Sequence, residues 1–149
     1  MPHLVILYTA NLDRPPAEGG ADMAGLCRAL ADAMLSVRDE QDRPVFPPGG
    51  TRVLAYPATH WAVADGGAAG EAAGLGGDYA FVYLNLRMGR GRSAAVQQGA
   101  GQVLDACVKR HLAGQLARRP IGITLQIDEG PEVFDAKTSS LHPLFQTST

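Results

Sequence analysis

The segment YAFVYLNLRM at residues 79–88, followed by SAAVQQGAGQVLDACVKRHLAGQLA at 93–117 and IGITLQID at 121–128, decides the fold. Its first and last pieces are short, apolar and rich in β-branched or aromatic side chains, which suit a pleated, half-buried surface. Between them Val96, Ala100, Val103, Leu104, Cys107, His111 and Leu112 recur at three- and four-residue spacing and share one helical face. Ser93 is a natural N-cap, because its hydroxyl can accept from a first-turn N–H that has no partner in the helix. The order is strand, helix, strand, and such units cross over right-handedly between parallel strands.

The N-terminal half repeats that order. His3-Leu4-Val5-Ile6-Leu7-Tyr8 reads as a strand beginning at once, and Asn11 to Gly20, with Pro15, Pro16 and Gly19-Gly20, as a turn. Met23, Leu26, Cys27, Leu30, Met34 and Val37 mark a helix over 21–37. Pro44, Pro47, Pro48 and Gly49-Gly50 then interrupt the chain before an extended run from Thr51 to Ala58. Together the halves predict one α/β domain over residues 1–149: tandem pseudo-symmetric βαβ units forming a four-stranded sheet with two helices on one face. The other sheet face is expected to carry apolar residues from every strand, and therefore to be covered by subunit association. The tail from Val133 to Phe145, with Leu141 and Leu144, is expected to dock on a neighbour. The Gly/Ala tract between Asp65 and Asp78 holds one charge, Glu71, and reads as either a mobile surface loop or a frayed helical insertion, with no role legible for residues 66–77.

At 149 residues a core is available without staples. Cys27 and Cys107 lie among apolar neighbours within predicted helices, without CxxC spacing, and are expected to be reduced core residues. A net charge of −2 argues against a globally basic nucleic-acid binder. The chain shows no basic leader and no apolar run of membrane length, so a cytoplasmic protein with no membrane partner is expected. His3, His60, His111 and His142 have no metal-ligand spacing, and no metal site is expected.

Candidate chemistry begins at Pro2. Removal of Met1 leaves a secondary amine fixed at a strand end, and burial or nearby arginines would favour its neutral, proton-accepting form. The segment Arg87-Met88-Gly89-Arg90-Gly91-Arg92-Ser93 lies where a strand turns into a helix. Backbone N–H groups, the helix start and a guanidinium fork can hold a carboxylate there. A solvated basic turn would look the same, whereas an RNA-binding patch would be expected to interleave aromatic side chains, which are absent. Arg52 offers a second guanidinium at the start of the second strand, and Trp61 either walls a pocket or fills core.

With these residues in place the chain resembles the 5-carboxymethyl-2-hydroxymuconate isomerase family of the tautomerase superfamily. The resemblance rests on Met1-Pro2-His3-Leu4-Val5-Ile6, Asn11, Phe46-Pro47 with Gly50-Thr51-Arg52, and Trp61 with Ala64-Asp65-Gly66. It continues through Asp78-Tyr79-Ala80-Phe81-Val82, Gly89-Arg90-Gly91-Arg92-Ser93 and Leu141-His142-Pro143-Leu144-Phe145. It implies a tautomerase-like homotrimer with no cofactor, acting on an anionic dicarboxylate or tricarboxylate dienol from homoprotocatechuate breakdown, a step of aromatic compound catabolism. It implies Pro2 as the proton shuttle, with Arg52 and Arg92 binding carboxylates and polarising the developing enolate. Leu7 and Leu54 depart from the family pattern, which has an acid at the first position and a base at the second, and the Gly/Ala tract is longer. Alternatives are a tautomerase of another substrate such as an arylpyruvate, a hydratase-like member using protonated Pro2 as an acid, and a non-catalytic oligomeric module binding an anion through Arg92.

Overall fold

The computed structural model describes residues 2–146. Its strands are β1 (His3–Thr9), β2 (Arg52–Ala58), β3 (Ala80–Met88) and β4 (Ile121–Glu129). Its helices are α1 (Met23–Ser36), α2 (Ala68–Ala72), α3 (Ala94–His111) and α4 (Ala113–Arg118). The sheet order is β2-β1-β3-β4; the outer pairs are parallel and the central pair β1–β3 is antiparallel. This is the tandem arrangement expected, two βαβ units joined back to back.

Alternation along the strands sets the core. Leu4, Ile6 and Tyr8 of β1 and Val82, Leu84, Leu86 and Met88 of β3 are buried against Leu26, Leu30 and Met34 of α1 and Ala100, Leu104, Cys107 and Val108 of α3. Cys107 is buried, Cys27 is half-buried against the same core, and both are free thiols that burial pushes to higher pKa. Asp22 caps α1 through Gly25 N at 2.9 Å, and Ser93 caps α3 through Val96 N at 3.2 Å. Gly99 on α3 has nothing within 4 Å of where a Cβ would stand. Gly99→Ala should therefore raise stability by about 0.5–1 kcal/mol, read as a higher urea midpoint at unchanged slope.

Three expectations need correction or detail. The helix expected over 93–117 breaks at Leu112, whose ψ of 12° ends α3 before α4 begins. Beyond the break Gln115 is buried and donates to the carbonyls of Gly19 and Gly20, which ties α4 to the turn before α1. The Gly/Ala tract is an ordered turn and short helix. Asp65 accepts from Gly67 N and Ala69 N, Tyr79 Oη accepts from Gly70 N, and a Cβ on Gly70 would stand 2.2 Å from Gly76 O.

The third concerns the open face. Register places Arg52, His3, Arg87 and Asp128 in one row, then Leu54, Val5, Asn85 and Gln126, then Tyr56, Leu7, Tyr83 and Thr124. Apolar residues thus come from β2, β1 and part of β3 but not from β4, which points Ile121, Ile123, Leu125 and Ile127 at the helices and presents polar side chains outward. Tyr83 Oη donates to Gln126 and Asn85 Nδ2 to Asp128 across that polar margin. Leu7 and Leu54 lie within the apolar part, each about half exposed, Leu54 in the row next to that of Arg52 and Leu7 one row further on.

Candidate active site

β1 and β2 begin, and β3 and β4 end, at the same edge of the sheet. Onto that edge converge Pro2, the 3-10 turn Pro48–Gly50 leading into Arg52, the turn 89–92 leading into α3, and the chain leaving β4, where Gly130 N donates to Met88 O at 2.9 Å. Pro2 is buried there.

Arg92 is fixed on three sides. Its Nη1 donates to Gly89 O at 3.0 Å, its Nη2 donates to Val45 O at 3.2 Å, and its guanidinium carbon stands 5.5 Å from the centroid of the fully buried Phe46 ring. The contact with Val45 and Phe46 joins the two halves of the chain at this edge. Gly91, with φ of 104°, makes the turn that brings Arg92 and Ser93 to the helix start, and the Ser93 hydroxyl also bonds Glu40. Arg52 donates from Nη1 to Gly49 O at 3.1 Å. Each guanidinium carries five N–H donors, so both keep donors for a ligand.

The structure thus brings Pro2, Arg52 and Arg92 to one end of the sheet and does not bring Trp61 there. Trp61 follows the opposite end of β2, roughly 20 Å along the strand from Arg52 at about 3.3 Å per residue, and is 43% exposed. Among the described residues no group of three or more His, Cys, Asp or Glu is placed to hold a metal ion.

Two features of this edge, both in the tail, were not singled out by sequence, and a third, Arg87, was named there only as part of the 87–93 segment. Arg87 stands opposite His3 in the β1–β3 register, on the side away from Arg52. The tail returns to the edge: His142 packs on Gly49, where a Cβ would lie 2.9 Å from both its Cα and Nδ1. Asp135 of the tail lies close enough to act on His3. Strand alternation signals the side of Arg87 but not its neighbours, and nothing local signals the return of the tail.

Burial is the largest effect lowering the His3 pKa, the Arg52 charge adds to it, and Asp135 opposes it. These effects favour the neutral imidazole. A folded-state pKa below the unfolded value of about 6.5 means that its contribution to stability is present above that pH and is lost as pH falls through the folded pKa. A proton NMR titration should give a His3 midpoint below 6.5, and lower again in Asp135→Asn; a midpoint at or above 6.5 contradicts this electrostatic picture.

The family model described as 5-carboxymethyl-2-hydroxymuconate isomerase matches residues 2–145. The chain belongs to this family. The 5-carboxymethyl-2-hydroxymuconate Delta-isomerase of Escherichia coli is 27% identical over 146 residues, spanning 98% of this chain and 100% of that one. A crystal structure of a 5-carboxymethyl-2-hydroxymuconate delta-isomerase is 60% identical with a TM-score of 0.93, covering 100% of this chain and 95% of that one. A family member from Deinococcus radiodurans R1 is 30% identical with a TM-score of 0.77, covering 98% and 95%. At 12% identity and a TM-score of 0.53, a member of the cis-3-chloroacrylic acid dehalogenase family shares the fold, over 89% of this chain and 79% of its own. The chain is an isomerase of the tautomerase fold, as the resemblance implied. The family match spans both βαβ units and the tail to Phe145, so the edge that gathers Pro2, Arg52 and Arg92 lies wholly within it.

Proposed function

We propose that the chain interconverts the enol and keto forms of a 2-hydroxymuconate-type dienol, with 5-carboxymethyl-2-hydroxymuconate as its substrate and the Pro2 amine as proton shuttle. The convergence of Pro2, Arg52 and Arg92 on one sheet edge is the observation that carries this reading. The neutral amine takes the proton of the substrate's 2-hydroxyl and returns it to a remote carbon of the conjugated chain. The hydroxyl-bearing carbon becomes a ketone, and no atom is gained or lost. Burial and two guanidinium groups favour the neutral amine, and a base that is regenerated within the cycle needs no cofactor. Arg52 and Arg92 bind carboxylates and stabilise negative charge as the enolate develops.

The assembly in this reading is a homotrimer. Leu7, Leu54 and Tyr56 on the open face are each about half exposed, and Val133 and Phe134 in the tail are exposed almost completely, which leaves an apolar surface that subunit contacts would cover. Trp61 would then reach a pocket only across a subunit boundary. No helix among the described residues is long and apolar enough to cross a membrane, in keeping with a cytoplasmic enzyme.

The test is direct. The chain lacking Met1, given 5-carboxymethyl-2-hydroxymuconate or 2-hydroxymuconate, should convert it to the conjugated oxo form, followed by ultraviolet absorbance. Sedimentation should give about three times the 15.7 kDa chain mass. A folded preparation that turns over neither compound overturns the reading.

A further inference from the structure

The chain leaving β4 folds back across the row of charged residues next to Pro2. Glu132 Oε1 comes to 3.8 Å from Arg87 Nε, with both side chains well exposed. The turn that allows this is tight, since a Cβ on Gly130 would lie 3.1 Å from Arg87 Nε. Arg90, Gly130, Pro131 and Glu132 together line an open cavity of about 300 Å³. On the sheet, Arg87 shares its row with His3 and Arg52, so an arginine stands on each side of the residue that follows Pro2. Proton transfer as set out above uses neither Arg87 nor Arg90.

We infer that Arg87, with Arg90 in the cavity that Glu132 also lines, forms a subsite for a substrate carboxylate remote from the reacting dienol, and that Glu132 occupies it as an internal counterion when substrate is absent. The identity of that substrate rests on the isomerase reading; the subsite itself rests on Arg87, the cavity beside it and the Glu132 carboxylate already drawn to it, while Asp128, the other carboxylate next to Arg87 in the row, is taken up by Asn85. A contact at 3.8 Å between exposed side chains is single-ended and screened, and little is lost in breaking it. An incoming carboxylate can replace it with the bidentate pairing that Glu132 does not make, which is the geometry guanidinium binds best. The arm recognised is the one that distinguishes a triacid from a diacid. Arg87 is therefore a specificity-determining residue and takes no part in moving the proton.

The experiment compares 5-carboxymethyl-2-hydroxymuconate with 2-hydroxymuconate. Arg87→Gln should raise KM for the triacid about tenfold, the loss expected for one half-exposed charge-assisted pairing, with kcat for both compounds and KM for the diacid changed less than twofold. Arg87→Lys, which keeps the charge but not the fork, should fall between. Glu132→Gln should lower KM for the triacid, most clearly at low ionic strength, where its competition is least screened. Equal weakening of both substrates, or none, overturns the subsite. Calorimetric titration of the triacid into Pro2→Ala and into Pro2→Ala/Arg87→Gln gives a readout independent of turnover, with the same tenfold difference expected. Failure of the isomerase reading appears as wild-type chain that turns over neither compound yet still binds the triacid through Arg87. Failure of the subsite appears as normal turnover with no change in selectivity.

Discussion

Pro2→Ala is expected to lower kcat by about 10²–10⁴-fold, the range associated with loss of a positioned general base, while KM changes little. The pyrrolidine ring, buried at the start of β1, holds the nitrogen in one orientation. Alanine leaves a primary amine free to rotate and hydrate, so proton transfer survives only as a residual rate. Arg52 and Arg92 are held by Gly49, Gly89 and Val45 and by the Phe46 ring, so ground-state binding of carboxylates should persist. A chain that retains Met1 supplies a sharper control. Its Pro2 nitrogen is an amide without a basic lone pair, and it should be inactive at full fold stability. Intact-mass measurement establishes which form is assayed. A kcat for Pro2→Ala within threefold of the wild-type value would remove Pro2 from the mechanism.

The tandem fold was legible because the patterns carrying it are local. The apolar, β-favouring runs at 3–8 and 79–88 and the helical stripe from Met23 to Val37 each need only a few neighbouring residues to be read. Ser93 was legible as a cap for the same reason. What escaped depended on partners distant in sequence. Gln115 reaches back to Gly19 and Gly20, an attachment that accompanies the break at Leu112 but has no local signature. The glycines of the 66–77 tract suggested looseness, yet Gly70 is glycine because the Gly76 carbonyl and the Tyr79 ring leave no room for a side chain. The prediction that every strand feeds the open face with apolar residues failed at β4, an edge strand whose outward positions are Gly122, Thr124, Gln126 and Asp128. Pro2, Arg52 and Arg92 were each readable as candidates, but only the register of β1 against β2 and β3 shows that they share an edge. Trp61 was equally readable, and the same register separates it from them within the chain.

Gly49→Ala is expected to cost about 1–3 kcal/mol of stability, the usual penalty for forcing a methyl into filled space, and to lower kcat/KM by up to about a hundredfold. The added Cβ would stand 2.9 Å from the Cα of His142. A backbone atom cannot rotate away, so either the tail turn His142–Phe145 lifts or the Pro48–Gly50 turn retreats. The tail turn is held by Ser139, whose hydroxyl accepts from the N–H groups of both Leu141 and His142. The Pro48–Gly50 turn is closed on Pro47, whose carbonyl accepts from Gly50 N and from Thr51 N and Oγ1, and it carries the Gly49 carbonyl that holds Arg52. If the tail yields, stability falls and Arg52 keeps its place; if the inner turn yields, Arg52 moves with it and kcat/KM falls too. Because the inner turn is also joined to β2 through Arg52, displacement there transmits to the site, and the activity loss should exceed what unfolding at the assay temperature explains. Adding His142→Ala relieves the crowding by the imidazole at 2.9 and 3.3 Å but leaves the main chain of residue 142 in the way, so rescue in the double variant should be partial in both readouts. Unchanged denaturation midpoint together with unchanged kcat/KM in Gly49→Ala would show that the tail does not brace this edge of the sheet.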